Sequence, residues 1–277
     1  MTNAVMSALI GAIGGLAILS YVIAATFSSR RYAKWPFYRK FFWAMGILCA
    51  CFSVTGPLAE QAHMNFTAHM WAHLLLGMLA PLLMALAAPV TLVLRTLRVH
   101  QARRLTRVLR SHIVGVFTHP IVASLLNIGG LWVLYTTELY HYMQENMLAH
   151  VLVHLHVFIA GYLFTISFLY IDPTPHRYSY LYRAIIFIFA LAGHGILSKF
   201  IYAHPPDGVP VDEAQSASKL MYYGGDAIDL VIIVLMCLHW YQSTRPQLAH
   251  YDGKDAAILK HQSSSFTSMS SGKGSLK

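Results

Sequence analysis

The sequence predicts an all-α, polytopic membrane protein, a bundle of seven transmembrane helices, and three observations carry that expectation. Of 277 residues, 56% are hydrophobic and only 11% are charged, whereas a soluble domain carries roughly 25% charged residues. Seven apolar segments are long enough to cross a bilayer, which takes about 20 residues of helix. The basic residues also fall in alternate loops. A net charge of +9 would suit a nucleic-acid partner if it were gathered on one surface. Dispersed among loops, it points to the lipid bilayer and away from nucleic acid. Cys49, Cys51 and Cys237 all lie in apolar segments, so no disulfide framework is expected.

The first span, 4–27, has no basic residue ahead of it and Arg30-Arg31 just behind it. That is the reverse of a secretory signal, so it reads as an uncleaved helix with its N-terminus outside. The second span is 40–58. The third, 66–94, is longer than a bilayer requires and contains Pro81 and Pro89, so a tilt or kink is expected there. The fourth, fifth and sixth lie at 113–136, 147–170 and 181–202. The seventh, 225–242, is short and opens on Gly224-Gly225. Every Lys and Arg except Lys199 and Lys219 falls on one side of this arrangement. The positive-inside rule then sets the N-terminus outside and the C-terminus in the cytoplasm. The basic loop 95–112 reads either as a topology determinant or as an amphipathic helix on anionic lipid. Residues 1–242 form the membrane domain, and 243–277 read as a disordered polar cytoplasmic tail.

Sixteen histidines against eleven acidic residues is the unusual ratio in this composition. The stretch His63–His73, HMNFTAHMWAH, stands at the outer mouth of the third span. His69 and His73 are four residues apart and so project from one helical face. On the fifth span Met143, Met147, His150 and His154 follow at helical spacing. The sixth span carries His194, and the seventh opens with Asp226 and Asp229. Counted at 1.5 Å per residue, His73, His154 and His194 share one depth, roughly 10–12 Å below the outer surface. Ionisable residues gathered inside a membrane are a functional hypothesis by default. Imidazole suits zinc, copper, iron or nickel, and nearby thioethers favour Cu(I). The expected metal ligands are therefore His69, His73, His150, His154, His194 and Asp226. His63, Met64, Met70 and Asp229 are expected at the entrance to the site or as neighbours that hold the ligands. The plain alternative is a hydrogen-bonded polar core between helices, worth about 0.6 kcal/mol per contact. His156 faces away from His154 and reads as structural. Cys49 and Cys51 point about 200° apart on a helix and read as packing.

These motifs resemble a known family. His69-Met70 through His73, Ala80-Pro81-Leu82-Leu83, Pro89 and His119-Pro120 come first. The histidines of the fifth span, Gly161, Asp172-Pro173, His194-Gly195, and Met221 ahead of Gly224-Gly225-Asp226 follow in order. Together they are similar to the CtaG-like cytochrome c oxidase assembly factors, over the third to seventh spans. Tyr222 departs from the tryptophan often found after that methionine. The resemblance implies a multi-pass protein of the bacterial plasma (inner) membrane, a copper chaperone of the respiratory chain. It implies a cytochrome c oxidase subunit as partner, a copper-donor protein upstream, and binding and transfer in place of catalysis. A second reading from another class is a seven-helix, zinc-dependent membrane lipid hydrolase of the ceramidase type, which also gathers histidines with an aspartate. A di-haem cytochrome is a third. A retinal protein is disfavoured because the seventh span has no lysine for a Schiff base.

Overall fold

The computed structural model describes residues 2–245, with side chains from 5 onward. Most of the expected polar tail therefore lies outside the described residues. The chain divides into two units, Met1–Leu238 and His239–Lys277. Among the described residues there is no strand. Six helices are long and apolar enough to cross a membrane, or seven if one sharply bent pair counts as a span. The protein is a multi-pass helical membrane protein.

Helices α1 (Thr2–Arg31) and α2 (Phe37–Val54) are unbroken. Val5, Leu9, Ile13 and Leu16 of α1 are more than half exposed, as side chains facing hydrocarbon would be. A short α3 (Gly56–Ala62) leads to α4 (Phe66–Leu74), a π-helical turn at Leu75–Leu79, and α5 (Ala80–Leu86). These last three run as one path across the expected third span. The π turn sits immediately before Pro81, which has no N–H to return to the Gly77 carbonyl. The break comes later, at Ala88, which takes a left-handed conformation (φ 54°); Pro89 disfavours the right-handed α region for the residue before it, so the helix does not run on through Ala88. Helix α6 (Pro89–Thr96) starts there. Its first turn is capped from a distance: Asp172 accepts from Val90 N at 3.1 Å, Thr91 N at 2.7 Å and Thr91 Oγ1 at 2.6 Å.

The basic loop is helical. Helix α7 (Val99–Leu109) buries none of its residues and carries its arginines and its apolar residues on different faces. The expected fourth span is not one straight helix. It comprises α8 (His112–Phe117), α9 (Pro120–Ser124), a second π turn at Leu125–Gly129, and α10 (Gly130–Thr136). Helix α11 (Leu139–Glu145) then turns away by 78°. Pro120 explains the first interruption, since a helix must restart at it.

Helices α12 (Met147–Phe168) and α13 (Tyr180–Ala203) match their expected spans closely. Helix α14 does not: it runs from Val211 to Thr244, so Gly224-Gly225 lie in its middle and not at its start. Asp212 and Glu213 in its first turn favour that earlier start by opposing the helix dipole. Both glycines survive there because neighbours occupy the space a Cβ would take, Leu74 at Gly224 and the His194 ring at Gly225.

Packing centres on α12. It lies against the Leu75–Leu79 π turn and α5, and a Cβ on Gly161 would strike the Gly77 carbonyl. Two small residues thus let two backbones meet, the usual device for close helix crossings in membranes. One buried cluster joins Phe66 and Met70 to Leu197, Ile201 and Met221. A second joins Leu82 to Phe164, Phe168, Phe187 and Ile232. Arg183, 2% exposed, donates to the Phe168 carbonyl at the end of α12 and lies over the Tyr170 and Tyr180 rings. Burial raises the Tyr170 phenol above its ordinary pKa, and its oxygen accepts from Tyr178 N at 3.0 Å.

Candidate functional site

The site is built where α4 and α12 begin side by side. Asn65 caps α4, its side chain accepting from Ala68 N at 3.0 Å, while Phe66 N donates to Glu213 at 2.8 Å. These bonds satisfy free amides of the first turn and tie α4 to α14. With α4 so held, His69 and His73 both point inward, 5% and 6% exposed. Asn146 caps α12 in the same way, accepting from Leu148 N and Ala149 N at 2.9 and 3.1 Å. That fixes His150 and His154 on the face turned toward α4.

The result is a row of imidazoles leading from surface to interior. His63 is exposed, bonds Gln144 at 3.3 Å and stacks on His150 with ring centroids 4.7 Å apart. His150 stacks on His154 at 4.2 Å, and His154 meets His69 edge-on at 6.3 Å. His154 Nδ1 lies 2.9 Å from the His150 carbonyl. A carbonyl only accepts, so Nδ1 carries the proton and Nε2 keeps its lone pair, the tautomer a metal ligand needs. His69 Nε2 pairs with the Tyr135 hydroxyl at 3.1 Å.

Two small cavities continue the row. The first is lined by His69, His73, His154 and Tyr135 with apolar neighbours. The second is lined by His73, His194, Asp229 and Asn127, again with apolar neighbours. Each is about 10 Å³, roughly the room one water-sized particle requires. His73 belongs to both. Several atoms here are buried without any hydrogen-bond partner: His73 Nε2, His150 Nδ1, His194 Nε2 and Asp229 Oδ1. Orphaned polar atoms are expensive in a low-dielectric interior, so each calls for an occupant. Neutral imidazole nitrogens and one carboxylate form a donor set that fits copper or zinc chemically. Among the described residues, however, no three of His, Cys, Asp or Glu converge closely enough to hold one metal ion together.

The expected histidine ligands thus divide in two. His150, His154 and His69 form an outer row, with His63, expected at the entrance, stacked at its exposed end, and His73 with His194 forms an inner pair. Asp226 stands apart from the histidines, exposed on the outer side of α14. Its neighbour Asp229, 4% exposed, is the carboxylate that lines the inner cavity; one turn further on, it is offset by only about 60° around the helix, which is enough to turn it from the exposed side to the buried one. Met64 is 86% exposed, and Met70 is fully buried in the apolar core. His156 bonds the Leu126 carbonyl in the second π turn at 3.1 Å. Cys49, Cys51 and Cys237 are free thiols. Sequence reasoning passed over Tyr135 and Asn127. A lone Asn in an apolar span was a usable signal, but an aromatic residue near a helix end is too common to be one.

The sequence profile of cytochrome c oxidase caa3 assembly factors (Caa3_CtaG) matches residues 19–243. Uncharacterised mycobacterial proteins are similar over part of the chain. Those of Mycobacterium bovis (Mb0105) and Mycobacterium tuberculosis (MT0111) are each 31% identical over 179 residues, 62% of this chain and 27% of theirs. That of Mycobacterium leprae (ML1998) is 29% identical over 182 residues, 63% of this chain and 28% of its own. The aligned part is therefore little more than a quarter of each relative's length. No solved structure matches.

Proposed function

The chain belongs to the cytochrome c oxidase caa3 assembly factor family, and from that premise we propose that it carries copper as cargo to a haem-copper oxidase under assembly. The observation that supports this reading is the continuous histidine row. It runs from exposed His63 through His150, His154 and His69 to buried His73 and His194. Pairs of imidazoles suit Cu(I), which is content with two ligands and exchanges them readily. A row of pairs can hand such an ion along without ever forming a closed cage. The absence of a converged triad among the described residues fits transfer better than it fits a hydrolytic zinc centre, which wants three ligands in place around an activated water.

In this reading the protein is not an enzyme. Its His63 end faces outward, as the basic residues on the opposite side of the bundle favour. It resides in the bacterial plasma membrane, receives copper from a donor protein there, and serves the oxidase's buried copper centre. The ligands are His69, His73, His150, His154 and His194, with Asp229 at the inner end.

The test is metal analysis of the detergent-purified protein after exposure to Cu(I) under reductant, paired with oxidase activity in a deletion strain. Stoichiometric copper is expected in the wild type. His73→Ala and His154→Ala should each lower copper affinity by at least about tenfold and fail to restore oxidase activity, while eluting as folded, monodisperse protein. Arg103→Ala, on α7, should bind as the wild type does. Copper retained in full by both histidine variants would sink the proposal, and so would bound zinc with turnover of a lipid amide.

A further inference from the structure

A groove of about 650 Å³ runs between α13 and α14, lined by Leu191, Gly195, Lys199, Tyr222, Asp226 and Asp229 among others. Leu191 and Asp229 also line the small inner cavity that holds His73 and His194. One buried carboxylate is thus the wall between a closed polar pocket and the open side of the bundle. From these shared walls we infer that the inner pocket opens sideways at Asp229, and that the cation leaves the protein through this groove, within the plane of the membrane. The inference rests on the copper reading and adds to it the route of discharge.

Three observations support it. Asp229 is 4% exposed and its Oδ1 has no partner, so an acceptor for a cation already stands at the boundary. Asp226 lies one turn earlier on the same helix and is exposed in the groove. The two carboxylates therefore form a step from inside to outside. Finally, the groove carries charge without neutralisation: neither Asp226 nor Lys199 has an ion-pair partner among the described residues. Lys199 lies 5.4 Å from the Tyr222 ring centre, at the groove's other wall. Unpaired charges on membrane-spanning helices are costly, and those that persist tend to line ion pathways. A cation that reaches His194 finds histidines behind it and two carboxylates ahead, in the direction of the groove, with Lys199 the one basic residue among those lining it. Entrance and exit are then at different places, His63 and Asp226. Lateral discharge suits an acceptor whose own metal ligands are buried in the bilayer.

The experiment uses the full-length protein in lipid nanodiscs, loaded with Cu(I) under reductant. Release is followed to two chelators, the membrane-partitioning neocuproine and the water-confined bathocuproine disulfonate. The groove is plugged by Gly195→Leu. A Cβ there would meet the Tyr222 ring at 3.4 Å, an ordinary contact, so the first carbon of the new side chain fits and the rest extends into the groove that Gly195 lines. A second plug is Ile196→Trp, at a groove residue already 58% exposed; it decides the question if the first does not fold. Both plugs should leave bound copper unchanged, leave release to bathocuproine disulfonate unchanged, and slow release to neocuproine by about tenfold or more. Equal release to both chelators in wild type and plugged protein overturns the lateral exit while the copper reading stands. So does equal slowing toward both. Loss of bound copper in the plugged variants also overturns it, since the groove would then be part of the binding site. A wild-type protein that binds no copper removes the reading beneath it as well.

Discussion

At the residue scale, His154 and His194 are held by contacts that leave one ring nitrogen of each bare. His154 spends one ring nitrogen on its own helix and keeps the other, and His194 is pressed against a glycine with its Nε2 unpartnered. The close approach at Gly225 has a direct consequence. In Gly225→Ala the new methyl strikes the His194 ring, which must swing away from His73 and Asp229. Copper affinity is expected to fall by about tenfold, as it does when the groups that orient a ligand are altered. Competition with a calibrated Cu(I) chelator measures this. Gly224→Ala is the comparison, because there the new methyl meets the side chain of Leu74 and no imidazole. Equal affinity in the wild type and Gly225→Ala would remove His194 from the site.

At the element scale, the crossing of α12 over the Leu75–Leu79 turn sets the distance between the two histidine-bearing helices. Gly161 touches the Gly77 carbonyl, so Gly161→Ala must push the helices apart. An overpacked contact of this kind costs about 1–3 kcal/mol, to be read as a lower midpoint of thermal unfolding in detergent. The same shift should weaken copper binding, because His150 and His154 ride on the displaced helix. Asp172 makes a different kind of link, closing the first turn of α6 after the break at Ala88. Asp172→Ala is expected to cost about 1 kcal/mol as a lost cap and to leave copper affinity near that of the wild type, since α6 carries no ligand. A large loss of affinity in that variant would show the two ends of the bundle to be coupled.

For the whole molecule, the distribution of charge is the argument for orientation, and accessibility can test it. With Cys49, Cys51 and Cys237 replaced by alanine, Met64→Cys places a thiol at a position 86% exposed beside His63, and Val99→Cys places one on α7, 70% exposed. An impermeant maleimide added to intact cells is expected to label the first and to reach the second only after permeabilisation. The opposite pattern would put the histidine row on the cytoplasmic side and would require a cytoplasmic copper donor. Helix α7, basic on one face and apolar on the other with nothing of its own buried, is shaped to lie on an anionic membrane surface.

Hydropathy alone places most of the helices, because a bilayer demands about 20 apolar residues wherever the chain crosses it. That demand holds for α1, α2, α12 and α13 whatever their neighbours do. The start of α14 escapes it: Val211–Leu220 is polar enough to read as a loop and is helical because Glu213, Ala214 and Ala217 pack onto α4 and its surroundings. The two π turns escape as well, since they arise from Pro81 and from packing against α12, not from composition. Histidines spaced by four declare that pairs share a face. Which pairs then meet depends on how α4, α12, α13 and α14 rotate about their axes. That rotation is set by the Gly77–Gly161 and His194–Gly225 contacts, which no single helix contains. So the sequence by itself determined that this chain crosses a membrane many times and that its histidines fall in pairs sharing a helical face. Only the tertiary structure decided that they form a row, that Asp229 rather than Asp226 closes its inner end, and that a groove adjoins it. Burial in a bilayer is a property each segment has alone, whereas a site between helices exists only once they are packed.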